Sequence, residues 1–134
     1  MDRHKYKVVF EEYTKRHFIK NFEKKYKLPQ WSKTQDDIIF VCEHIENMLS
    51  TKRADLISVA NNCRLVKLDF AIFGRKESPK SSGNRCILLL DDDMGIVKIL
   101  LVYSKNDIPT HNETQEWKNI VKAQYSNIGE IFNL

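Results

Sequence analysis

The chain has 134 residues, 42% of them hydrophobic and 30% charged, with a formal charge of +4 and a pI near 8.9. That balance excludes a disordered chain and a membrane-embedded one, and the length amounts to a single domain, 1–134. The mild excess of cations permits a nucleic-acid partner without demanding one.

Tyr6–Phe10 (YKVVF) is short, β-branched and aromatic, which predicts a first strand. In Glu11–Lys27 the residues Thr14, Phe18, Phe22 and Tyr26 recur every fourth position, which predicts a helix stopped by Leu28-Pro29. A second helix opens at Trp31–Thr34, with Thr34 as its cap and Asp36 and Asp37 in its first turn. It ends near Ser50–Arg53. Ala54–Asn62 reads either as one more helical turn or as an ordered loop. Arg64–Phe73 alternates as a strand, with Leu65, Lys67, Asp69 and Ala71 on one face. Gly74–Gly83 is a loop by composition. Asn84–Leu90 and Ile96–Ser104 are strands joined by the acidic turn Asp91-Asp92-Asp93, and the apolar run of the second marks it as an interior strand. Asn112 caps a last helix over Asn112–Asn127. The order β-α-α-β-β-β-α gives an α+β fold: a mainly antiparallel sheet covered on one face by two N-terminal helices, followed by a C-terminal helix.

Cysteines Cys42, Cys63 and Cys86 form no C-x-x-C pair and no zinc spacing with a histidine, so they read as free thiols in a reducing compartment. No run approaches the ~20 apolar residues of a bilayer span. MDRHKYK leads into no apolar segment, so no signal peptide is expected and the chain reads as cytoplasmic. The acidic turn reads as solvated rather than as a metal site, and no cofactor or metal is expected. The nucleotide and hydrolase fingerprints with glycine-rich loops do not occur.

The cations are better placed for chemistry. Lys67 lies mid-strand, Arg85 begins the next strand, and Lys105 ends the third. In an antiparallel meander these three can converge on one side of the sheet. Cleavage of RNA by its own 2′-OH needs a base, charge stabilisation at the phosphoryl oxygens and an acid for the leaving oxygen. Arginine grips phosphate bidentately, and lysine among other cations can serve as base. Arg75, Lys76 and Lys80 in the loop either clamp an RNA backbone or simply solvate the loop. Tyr103 is open to base stacking or to packing, whereas the helical spacing of Trp117 and Tyr125 favours the core. His111, after the last strand, is the one histidine within reach of the basic end and a candidate general acid.

LVKLDF (Leu65–Phe70), SSGNRCILLL (Ser81–Leu90) and VKILLVYSKNDI (Val97–Ile108), preceded by the strand and helix with HFIKNFEKKYK, resemble the core of the RelE/ParE toxin superfamily. The resemblance covers nearly the whole chain and rests on order and spacing rather than on one motif. It implies a RelE-like, microbial-ribonuclease-like fold. It also implies ribosome-dependent cleavage of mRNA, hence inhibition of translation, by the toxin of a type II toxin–antitoxin system. Its partners would be a cognate antitoxin and mRNA on the ribosome. Lys67 matches a family strand lysine acting as base or charge stabiliser, Arg85 matches the phosphate-supporting arginine, and Lys105 stands where many members carry an arginine. The loop Gly74–Gly83 is longer than in compact RelE types, Leu65 replaces a second strand lysine, and the family's C-terminal aromatic or histidine has no clear counterpart. ParE-like relatives share the fold and inhibit DNA gyrase instead. A catalytically inactive binding member is the third alternative.

Overall fold

A computed structural model describes residues 5–108 and 112–134 of the chain. Strand β1 (Lys7–Phe10) runs into a helical stretch made of α1 (Glu12–Thr14), a π turn (Lys15–Ile19) and α2 (Lys20–Lys25). Helices α3 (Leu28–Glu43) and α4 (Ile45–Ser50) follow. Then come β2 (Ala54–Ala60), β3 (Cys63–Phe70), the one-turn α5 (Pro79–Ser82), β4 (Asn84–Asp91) and β5 (Ile96–Ser104). A short 3-10 turn (Lys105–Asp107) precedes α6 (Glu113–Gln124) and α7 (Ser126–Ile131). The five strands lie in the order β1-β5-β4-β3-β2; β1 is parallel to β5 and every other pair is antiparallel.

The α+β class stands, with three departures from expectation. Ala54–Ala60 is an edge strand rather than a helical turn or a loop, paired with β3 and bulged at Ile57. Its β-branched Val59 gains a cross-strand neighbour, Arg64 on β3, that a local reading cannot see. Both faces of the sheet are covered, not one. Ile19, Phe22, Trp31, Ile38, Val41, Cys42 and Ile45 pack on the face bearing Val66, Leu68, Cys86 and Leu88. Trp117, Val121 and Phe132, from the C-terminal segment, pack on the face bearing Leu65, Ile87, Leu89 and Leu101. Burial on both faces explains why ILLL and ILLV are continuous apolar runs instead of alternating ones. Finally, α3 starts at Leu28 rather than at Thr34. Lys27 is extended (ψ 148°) and Pro29 occupies the first turn, where its missing N–H costs nothing. Leu28-Pro29 therefore both closes one helix and opens the next.

Thr34 is thus mid-helix and fully buried. Its hydroxyl donates to Gln30 O (2.9 Å) and accepts the Phe73 N–H (2.8 Å), tying α3 to the chain beyond β3. Thr14 plays a similar part at the other edge, where its Oγ1 accepts the Val102 N–H (2.8 Å) beyond the end of β1. In the π turn next to it, consecutive Phe18 and Ile19 are sent to opposite cores. The β4–β5 ladder shifts register between Ile87 and Leu88, so Leu100 is an extra residue, and its carbonyl accepts the Tyr125 hydroxyl (2.8 Å). Asn112 caps α6 as expected, accepting from Gln115 N–H (3.1 Å), while Tyr125 divides the predicted last helix into α6 and α7. Among the described residues no helix is long and apolar enough to cross a membrane.

Candidate nucleic-acid interface

The alternation of β3 puts Leu65, Lys67 and Asp69 on the face covered by α6, opposite Val66, Leu68 and Phe70. Pairing aligns Lys67 with Ile87 and Leu101, and Asp69 with Arg85 and Tyr103. The result is one transverse row, Asp69-Arg85-Tyr103, at the end of the sheet where α6 begins. Glu113, in the first turn of α6, closes over that row. Arg85 Nε lies 3.2 Å from Asp69 Oδ1 and 3.5 Å from Glu113 Oε2, and the Tyr103 hydroxyl donates to Glu113 Oε2 at 2.6 Å.

This arrangement is poorly satisfied. Arg85 Nε and Asp69 Oδ1 are buried, yet neither has a hydrogen-bond partner among the described residues, because the close approach lacks hydrogen-bond geometry. The guanidinium makes a long hydrogen bond from Nη1 to Asn84 O at 3.3 Å. Burial pushes the Asp69 carboxyl above its usual range, and Arg85 and Lys67 only partly oppose that rise. The Tyr103 hydroxyl is pushed up as well, by burial and by its bond to Glu113.

The approach to Arg85 is built by the segment before β4. Ser78 and Ser81 form a reciprocal capping box for α5 (3.2 and 3.1 Å). Ser82 Oγ donates to Phe70 O (2.6 Å) and accepts the Asn84 N–H (3.0 Å), stitching the end of α5 to β3 and β4. Gly83 then adopts φ +79°, and a side chain there would meet Lys105 Cγ at 3.1 Å. The stem of Lys105 therefore lies against the glycine that precedes Asn84-Arg85, and Lys105 N–H donates to Gly83 O (2.8 Å).

Lys67, Lys80, Arg85 and Lys105 are thus gathered round one end of the sheet, Lys67 and Lys80 close enough to act on Asp69. Lys105 opens a 3-10 turn rather than ending a strand. Arg75 lies apart from this group: its guanidinium stands 5.3 Å from the Tyr26 ring, against the N-terminal helices. Lys76 is exposed in the same loop. Tyr103 is fully buried, so its ring offers no face to a base and its hydroxyl serves to hold Glu113. Trp117 is in the core, as its spacing predicts, and Tyr125 packs at that core's margin. His111 lies outside the described residues. Among the described residues no group of His, Cys, Asp or Glu is placed to hold a metal ion. In the acidic turn, Asp91 accepts the Met94 N–H, Asp93 accepts from Asn62, and Asp92 pairs with Arg64.

Residue reading missed the two carboxylates. Asp69 was detectable, since the hairpin register sets it opposite Arg85. Glu113 was masked because an acid in the first turn of a helix already has a local reason to be there. The chain matches no protein-family model, no curated protein and no solved structure.

Proposed function

We propose that the chain is a RelE-like toxin of a type II toxin–antitoxin system, an endoribonuclease that cleaves mRNA on the ribosome. The observation that carries this reading is the gathering of Lys67, Lys80, Arg85 and Lys105 about one end of a rigid sheet. The parallel pairing of the N-terminal strand with the last strand, and the helices between them, support it as an architecture.

In this reading Arg85 holds the scissile phosphate, and Lys67 takes the 2′-OH proton or stabilises the charge that gathers on the phosphoryl oxygens. Lys105, ordered against Gly83, stabilises the transition state from the other side of Arg85. Lys80 grips the adjoining backbone, and Arg75 and Lys76 extend the cationic surface away from the site. Lys67 and Arg85, on strands, are held more rigidly than groups on loops are. A cognate antitoxin would bind the toxin and silence it.

The test is primer extension on an mRNA in a purified translation system, with and without ribosomes. Discrete cuts that need ribosomes support the proposal. Cuts without ribosomes make the chain a free ribonuclease. No cuts from folded protein, with loss of supercoiling in a parallel DNA gyrase assay, replace it with the ParE-like activity.

A further inference from the structure

We infer that Glu113 is an internal competitor for Arg85: its carboxylate occupies the place of a substrate phosphate, and an incoming phosphate group must displace it. The inference rests on Arg85 as the phosphate-binding group of the proposed function.

The two acids beside Arg85 are held very differently. Asp69 is fixed by sheet pairing in register with Arg85, and its side chain is 9% exposed. Glu113 comes from another layer, on α6, and its side chain is 27% exposed. Its Oε2 is the acceptor of the Tyr103 hydroxyl at 2.6 Å but stands 3.5 Å from Arg85 Nε, which forms no hydrogen bond to it. Glu113 is therefore anchored by Tyr103 and only closes over the arginine. Asp69 is permanent, and Glu113 is the replaceable partner.

Exchange is chemically favourable for a phosphate. A phosphate group presents several acceptor oxygens to the planar guanidinium and can satisfy the Nε–H that Glu113 leaves unpaired. The carboxylate released reaches water directly from its partly exposed position. With Glu113 withdrawn, Asp69 alone offsets Lys67, Lys80 and Arg85, so the field at the vacated place becomes more positive. With Glu113 in place, that excess of positive charge is smaller by one, which disfavours polyanions that bind without enough contacts to move it.

The probe is inorganic phosphate, titrated at low salt into ¹⁵N-labelled protein and followed at the backbone amides of positions 84 and 85 in every variant, and at the Arg85 Nε–H where the arginine is present. Glu113→Gln should bind phosphate about fivefold more tightly than the unaltered chain, the effect of removing one nearby like charge. Tyr103→Phe, which releases the anchor and keeps the charge, should shift binding the same way by less, and it serves if Glu113→Gln does not fold. Adding Arg85→Lys to Glu113→Gln should abolish the gain. No tightening in either folded variant, or a gain that survives Arg85→Lys, overturns the inference. Cleavage assays on the same proteins separate it from the reading it rests on. Tighter phosphate binding with no RNA cleavage by any variant keeps the competitor and removes the ribonuclease. RNA cleavage by the unaltered chain without any gain in Glu113→Gln keeps the ribonuclease and removes the competitor.

Discussion

The chain builds the same cluster twice, at opposite ends of β3 and β4 and on opposite faces of the sheet. Each cluster is one arginine, two carboxylates and a tyrosine. Arg64 donates five hydrogen bonds, to Asp92 (3.0 and 2.8 Å), to Glu46 (3.2 and 2.6 Å) and to the Tyr6 hydroxyl (3.2 Å). The Tyr6 hydroxyl in turn shares its single proton between Glu46 (3.0 Å) and Asp92 (2.8 Å). Hydrogen bonds from Arg64 hold both carboxyls below their usual range. Arg85 has acids at 3.2 and 3.5 Å without hydrogen-bond geometry, and the nearer acid has its pKa raised rather than lowered. The first cluster is a staple joining β1, α4, β3 and the β4–β5 turn. The second leaves bonding capacity unused at the end of the sheet where the other cations collect. Identical residue types thus yield a structural clamp where every guanidinium nitrogen has a partner and, at the proposed site, an arginine whose Nε–H is left over.

The largest effect expected from breaking this contrast is at Arg85. Arg85→Ala leaves Asp69 buried beside Glu113 with no cation in contact, so it should cost about 3 kcal/mol in urea unfolding. Adding Asp69→Asn should recover more than half of that loss. Full stability in the single variant would mean that Asp69 is solvated without its partner. Because Arg85→Ala confounds folding with function, Arg85→Lys is the better functional probe: it keeps the charge and loses the fork.

Arg64→Ala comes next. Its acids are half exposed and can be rehydrated, so the loss should be about 2 kcal/mol despite five broken hydrogen bonds. RNA cleavage per folded molecule should not change. The pH dependence follows with its sign. Glu46 and Asp92 have lowered folded pKa values, so their contribution is complete above the unfolded carboxyl range, near pH 4, and is lost as pH falls through the folded values. The stability gap between the unaltered chain and Arg64→Ala should therefore close on acidification. Asp69 has the opposite sign. Its raised pKa means that ionisation disfavours the fold as pH rises through the folded value, so at pH 7 Asp69→Asn should cost less than Asp92→Asn. The smallest effects belong to the tyrosines. Tyr6→Phe and Tyr103→Phe should each cost about 1 kcal/mol, and only Tyr103→Phe should alter phosphate binding.

Much of this was legible in the sequence where a pattern is local. The alternation through Leu65–Phe70 placed Lys67 on the correct face, the limits Ile96–Ser104 of β5 matched, and Asn112 was found as a cap. Contacts distant in sequence were not legible. Ala54–Ala60 is a strand because β3 lies beside it, and Thr34 is buried because Phe73 N–H needs an acceptor 39 residues away. Tyr103 was open between stacking and core because its strand carries apolar residues on both faces; only the arrival of α6 decides it. The cation positions were readable residue by residue. That Arg85 is covered by Glu113 depends on how α6 folds back over the sheet, and no spacing within Asn112–Asn127 encodes that.

The most direct test of the account compares the two arginines in one assay: primer extension on ribosome-bound mRNA with the unaltered chain, Arg64→Ala and Arg85→Lys, each corrected for the fraction folded. Expected are discrete cuts by the unaltered chain, equal cutting by Arg64→Ala and a drop of about tenfold or more for Arg85→Lys. Undiminished cutting by Arg85→Lys, or no cutting by the folded unaltered chain, would contradict it.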